Sequence, residues 1–194
     1  MKGVCYSTLS GYCCITVEFM DLRVKKTRNS IINAFIELRS KKELERITIK
    51  ELAELACINK ATFYQHYKDI YDLSEKLELE VLTSAIQDMN HPENLISDPR
   101  EGVMEIANAI LSRRPMLDIL YSGTRRPLLV DRLEQLLKEV IYSNCPEYQG
   151  DLEKDLLFTV LIQGTFRAFE QHMNDENEKV LEILANISEN MLRS

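Results

Sequence analysis

The residues with which this 194-residue chain could do acid–base, thiol or metal chemistry are three histidines, five cysteines and 31 carboxylates. Their spacing argues against catalysis. His66, His91 and His172 lie far apart, Cys13 and Cys14 are adjacent, and Cys5, Cys57 and Cys145 are isolated. No Cys-x-x-Cys pair offers metal-ligand spacing. There is no Gly-x-Gly-x-x-Gly, no phosphate-loop pattern and no Gly-x-Ser-x-Gly elbow. No catalytic residue, metal site or cofactor is therefore expected, and the chain does not read as an enzyme. The informative stretch is Ile47 to Lys68, ITIKELAELACINKATFYQHYK. On a helix starting at Lys60, a turn of 100° per residue sets Phe63 and Tyr67 within about 40° of each other, facing a core. Ala61 and Gln65 then fall nearly opposite, with Thr62 and Tyr64 on the flanks. That outward face is small or hydrogen-bonding and free of carboxylates, as a face that reads base edges must be. Lys60, Tyr64, His66 and Lys68 sit where they can hydrogen-bond phosphates on either side of a groove. A plain surface histidine is the competing reading of His66.

Short helices must position these residues. Thr48-x-x-Glu51 is a capping-box pattern that opens a helix with Leu52, Leu55 and Ala56 inward. Cys57-Ile58-Asn59 breaks it, and Asn59 can cap the next helix, Lys60 to about Tyr67. Two short helices across a three-residue turn form a helix-turn-helix, whose second helix can enter the major groove. Before them, Ile31, Ala34, Phe35 and Leu38 recur at helical spacing. That first helix begins with Arg23, Lys25, Lys26 and Arg28. Charge is divided in the same way. Residues 21–70 hold eleven Lys/Arg against seven Asp/Glu, and residues 71–194 hold twelve against twenty-three. A basic segment on an acidic body points to a polyanion partner for the first part only. Chance segregation of surface charge is the alternative.

The stretch resembles the TetR family of one-component transcriptional regulators. The family pattern has a Thr-x-x-Glu-(Leu/Ile)-Ala start, then a turn, then Lys-x-Thr-(Leu/Phe)-Tyr-x-His-(Phe/Tyr). Thr48, Glu51, Leu52 and Ala53, then Lys60, Thr62, Phe63, Tyr64, His66 and Tyr67, stand at those places. The resemblance is specific from about Thr27 to Leu77, and beyond that it is one of helical layout and length. It implies DNA contacts at Thr48, Lys60, Thr62, Tyr64 and His66, with Phe63 and Tyr67 in the core. Two positions depart from the pattern. The family usually has Gly in the turn, where this chain has Cys57, so the turn must hold a Cβ. Cys57 itself reads as a small apolar filler or, alternatively, as a redox sensor. Many members place a phosphate-binding Lys at the start of the fourth helix, where Ile70 stands here, with Lys68 nearby.

The remaining sequence supports an all-α fold. Only six Gly and five Pro punctuate the chain, too few for a many-stranded sandwich or barrel. Helices are expected from about Asp69 to Met89, from Asp98-Pro99 to about Arg113, shortly after Pro115, and from about Pro127 to Ser143. Two more run from about Asp151 to Met173 and from about Glu176 to Arg193. Residues 1–19 show no periodicity and read as an extension, or as an ordered arm in the competing view. Residues 20–68 read as a three-helix helix-turn-helix DNA-binding domain, and residues 69–194 as a larger helical dimerisation and ligand-sensing domain. Leu157, Leu161, Gly164 and Ala168, with Val180, Leu184 and Ile187, form stripes suited to a homodimeric four-helix bundle. They also serve as ordinary core.

In the family a small-molecule effector binds between the middle helices and the interface helices. The apolar candidates here are Met104, Ile110, Met116, Ile119, Leu120, Tyr121, Phe158, Phe166 and Phe169, which equally suit a core. Arg113, Arg114, Arg125 and Arg126 read as an anion clamp or as partners of acidic surface. The sequence does not name the effector. No apolar run reaches the roughly 18 residues of a membrane span, and no signal-peptide pattern opens the chain. A cytoplasmic protein with free thiols and no membrane partner is expected. Double-stranded DNA is the expected partner, held as a repressor on a palindromic operator. An interaction module acting through a protein partner is the alternative.

Overall fold

The computed structural model describes residues 11–173 and 177–193, with side chains from residue 22 onward. Among the described residues the fold is all-α, with no strand. In chain order the helices are α1 (Gly11–Arg39), α2 (Ile49–Leu55), α3 (Lys60–His66), α4 (Ile70–Gln87), α5 (Asn94–Ser97), α6 (Pro99–Ser112), α7 (Arg114–Leu120), α8 (Arg126–Asn144), α9 (Leu152–His172) and α10 (Asn177–Arg193). Single 3-10 turns precede α2 (Leu44–Arg46), α8 (Gly123–Arg125) and α9 (Pro146–Tyr148). No helix is long and apolar enough to cross a membrane.

Most boundaries follow from local capping. The side chains of Thr48, Asn59, Asp98 and Asp151 each accept a backbone N–H two or three residues on, at the start of α2, α3, α6 and α9. Such a bond satisfies one of the donors that a helix start leaves unpaired. The start of α1 differs from expectation. The helix begins at Gly11, not after Met20, because residues 12–20 contain neither Pro nor Gly. Extending an existing helix backwards then needs no new nucleus. What was expected of residues 1–10 lies outside the described residues.

The chain divides into two compact units between Leu73 and Ser74, inside α4 rather than at its start. In the first unit α1 packs on α2 and α2 on α3. Ile31, Phe35, Leu52, Phe63 and Leu73 have no exposed surface. Arg39 is buried too, and its Nη1 donates to the Lys42 carbonyl just past the end of α1.

The second unit carries two apolar clusters. Ile86 and Met89 meet Ile106, Leu133 and Leu137 in one, and Phe169 meets Leu181 and Leu184 in the other. A polar staple joins α8 to α9: Lys138 donates to Asp155 and Thr159 at 2.7 Å each, and Tyr142 donates to Asp155 at 2.8 Å. The Lys138 bond first, and then the Tyr142 bond, hold the Asp155 carboxyl below its ordinary range.

A buried ion pair sits beside these clusters. Glu78 on α4 is wholly buried and receives Nε and Nη2 of Arg125 at 2.6 Å each, and the Ser74 hydroxyl at 2.6 Å. Two parallel bonds to one carboxylate are the geometry only a guanidinium provides. The buried Tyr121 hydroxyl has no partner, and burial, then the nearby Glu78 charge, pushes its phenol upward.

Candidate functional site

The first unit presents α3 on a turn that is fastened at both ends. The Thr48 Oγ1 accepts the Glu51 amide at 3.2 Å. Only half of the capping box forms, because the Glu51 carboxylate turns to Lys42 Nζ. At the other end the Asn59 Oδ1 accepts both the Thr62 amide (2.7 Å) and the Thr62 hydroxyl (2.9 Å). Between them Cys57 has φ +55° and is exposed. The turn thus demands the left-handed conformation that glycine adopts freely and a side chain adopts at a cost of about 1–2 kcal/mol.

This strain gives the first expected result. Cys57→Gly relieves it but frees the unfolded chain, so the net gain is about 0.5–1 kcal/mol. Cys57→Val, β-branched in the same conformation, loses about 1–2 kcal/mol. Denaturant unfolding of both variants checks the signs. Equal stability of the two would remove the turn strain.

Of the residues expected on the outward face, Lys60, Ala61, Tyr64, Gln65 and Lys68 are exposed. Phe63 and Tyr67 point into the core as expected. Tyr64, 56% exposed, stands edge-on to Phe63 with ring centroids 5.7 Å apart, which fixes where its hydroxyl is presented. His66 is half-buried against Tyr67, with centroids 6.2 Å apart. Thr48 is exposed, and since its oxygen accepts the amide, its hydroxyl proton remains available to an acceptor. Thr62 is different. Its hydroxyl proton is committed to Asn59, so the group acts in the cap, and only its methyl and lone pairs remain for a ligand. Ile70 is core, and the exposed cation near it is Lys68.

Sequence inspection overlooked the start of α4. There Asp69 accepts the Asp72 amide at 2.8 Å, and Asp72 accepts the Lys68 amide at 3.0 Å. The Asp-x-x-Asp spacing was its signal.

Among the described residues no group of His, Cys, Asp and Glu could hold a metal ion. Asp69 follows His66 by three residues, but α3 ends at His66 and Tyr67 is extended, so the two do not share a helical face. α3 itself contains no carboxylate.

In the second unit the apolar stripes divide differently from expectation. Leu161 and Leu184 are buried in the chain's own core, and Leu157 and Val180 are half-buried. The outward apolar face consists of Leu156, Val160 and the open Gly164 on α9, with Ile183, Ile187 and Met191 on α10. Both helices are apolar on two sides, so period alone does not say which side the chain's own core takes. A Cβ on Gly164 would meet nothing within 4 Å, so the chain's own packing does not require glycine there.

The same unit holds a cavity of about 130 Å³ lined from α5 to α10, including Ile110, Phe158, Phe166 and Phe169. Met104, Met116, Ile119, Leu120 and Tyr121 do not line it. The four arginines form no anion clamp, because each already meets carboxylate. Arg113 pairs with Asp88, Arg114 with Asp118 (3.2 Å), Arg125 with Glu78, and Arg126 with Asp118 (2.8 Å) and Glu170. No known family model matches this chain, and no curated protein matches it.

Proposed function

We propose that the chain is a TetR-like DNA-binding transcriptional regulator, a homodimer that occupies a palindromic operator and blocks transcription. The observation that carries this reading is α3 itself. It is a carboxylate-free helix, capped by Asn59, whose exposed residues are Lys60, Ala61, Tyr64 and Gln65. Gln65 suits the paired donor and acceptor of an adenine edge, and Ala61 suits a thymine methyl. Lys60, Tyr64, Lys68 and the Thr48 hydroxyl suit phosphates, which set register without reading sequence. The apolar face of Leu156, Val160, Ile183 and Ile187 supports pairing with a second copy, since helices bury such stripes against one another. Two copies of α3 on a two-fold axis then match two half-sites.

The test is fluorescence anisotropy on duplexes from upstream of its own gene, at several salt concentrations, with scrambled duplexes as control. Lys60→Ala weakens binding to all sequences alike. It lowers the magnitude of the log K against log salt slope by about one per phosphate contact, or about two for both copies in a dimer. Gln65→Ala keeps the slope and relaxes preference at one position per half-site, by about 1–3 kcal/mol. If neither variant changes affinity or preference, α3 does not read DNA, and a protein partner takes its place.

A further inference from the structure

The cavity of the second unit has a definite size and a definite charge state. At about 130 Å³ it is smaller than the roughly 300–1,000 Å³ of sites for drug-sized ligands. It is close to the roughly 150 Å³ of an apolar cavity that stays dry and takes benzene. Its wall is built mainly of Leu, Ile, Val and Phe side chains. The polar groups in that wall are already engaged. The Ser188 hydroxyl donates to the Leu184 carbonyl at 2.9 Å and lies 3.5 Å from the Thr165 hydroxyl. The charged lining residues Arg114, Asp118, Arg126 and Glu170 balance two against two. Arg126 bridges Asp118 on α7 and Glu170 on α9, and Arg114 takes the other Asp118 oxygen.

We propose that this cavity binds one small, uncharged, apolar molecule about the size of a benzene ring with short substituents, and rejects carboxylates and ammonium ions. A carboxylate ligand would have to displace Asp118 or Glu170 from Arg126, leaving one of them unpaired in an apolar wall. An ammonium would have to displace an arginine in the same way. Either exchange gains no charge pair and adds the desolvation of the ligand's own charge. An uncharged ring disturbs none of these pairs and gains contacts along walls that otherwise face empty space. This reading does not depend on whether α3 binds DNA.

The experiment uses the full chain with benzene, toluene, naphthalene, benzoate and benzylamine. It reads thermal melting and the Ile110 and Ile162 methyl resonances, both of which line the cavity. Benzene or toluene at ten times its Kd raises Tm by about 3–6 °C and shifts those two methyls. Benzoate, benzylamine and the oversized naphthalene do neither. Ala107→Leu, which adds three carbons to the wall, abolishes the benzene response while keeping the helical signal. Should that variant fail to fold, the methyl shifts in the native chain decide. No response to benzene, an equal response to benzoate, or shifts confined to methyls elsewhere overturns the proposal.

Discussion

Arg125→Ala is expected to cost about 3–5 kcal/mol, because it leaves the wholly buried Glu78 carboxylate without its bidentate partner. At about 2–4 °C per kcal/mol for a chain of this size, the melting transition of the unit beginning at Ser74 falls by roughly 10 °C. The Ser74 hydroxyl still bonds Glu78, and the Arg132 Nε lies 3.9 Å away. Neither supplies the two aligned donors that are lost. Arg125→Lys keeps the charge but offers a point donor in place of a fork, so it recovers only part of the loss. The double variant Glu78→Leu/Arg125→Leu is the informative control. With both charges gone, no desolvated ion remains, and its stability should exceed that of Arg125→Ala. Differential scanning calorimetry reads all three. A loss below about 1 kcal/mol for Arg125→Ala would mean that solvent reaches Glu78.

This ion pair marks where sequence reasoning stops. The caps at Thr48, Asn59, Asp98 and Asp151 were legible because donor and acceptor lie two or three residues apart in the chain. The inward faces of α1 and α3 were legible because helical period sets them. Glu78 and Arg125 are 47 residues apart, and nothing local distinguishes Glu78 from its exposed neighbours Glu75 and Glu80. Arg125 was noticed only as one of four nearby arginines. The structure assigns those four to separate carboxylates rather than to one anion.

The same limit governs the helices α9 and α10. Sequence spacing singled out Leu157 and Leu161, whereas the exposed stripe runs one residue earlier, through Leu156 and Val160. A shift of one residue turns a helix by 100°. With apolar residues on both sides, period fixes the stripes but not which one faces solvent. On α3 the reverse holds. The small and polar residues occupy one side only, so the exposed face could be named residue by residue. Thr62 was the exception, because its hydroxyl had two competing destinations, the Asn59 cap and a ligand.

Gly102 was overlooked for a related reason, and it gives the second large effect. It lies inside α6, where a glycine lowers helix stability by about 1 kcal/mol relative to alanine, so propensity alone predicts that Gly102→Ala stabilises. The structure predicts the opposite sign. A Cβ there would stand 2.7 Å from the Asn94 carbonyl carbon, 2.7 Å from the Leu95 nitrogen and 2.8 Å from the Asn94 oxygen. All three are backbone atoms of α5, which cannot rotate aside as a side chain would. The single turn of α5 must move off α6, and Leu95 with it, away from the cluster around Ile106 and Leu133 that it packs against. Overpacking of this kind costs about 1–3 kcal/mol, more than the gain in propensity. Gly102→Ala should therefore lower the stability of the second unit by about 1–2 kcal/mol in denaturant unfolding. It should also speed amide exchange in residues 94–98, while exchange in residues 48–68 stays unchanged. Gly164→Ala is the matched control, since a Cβ there meets nothing within 4 Å, and the propensity gain is then free to appear in the monomeric chain. If Gly102→Ala proves as stable as Gly164→Ala, the close approach of α5 to α6 does not hold in solution.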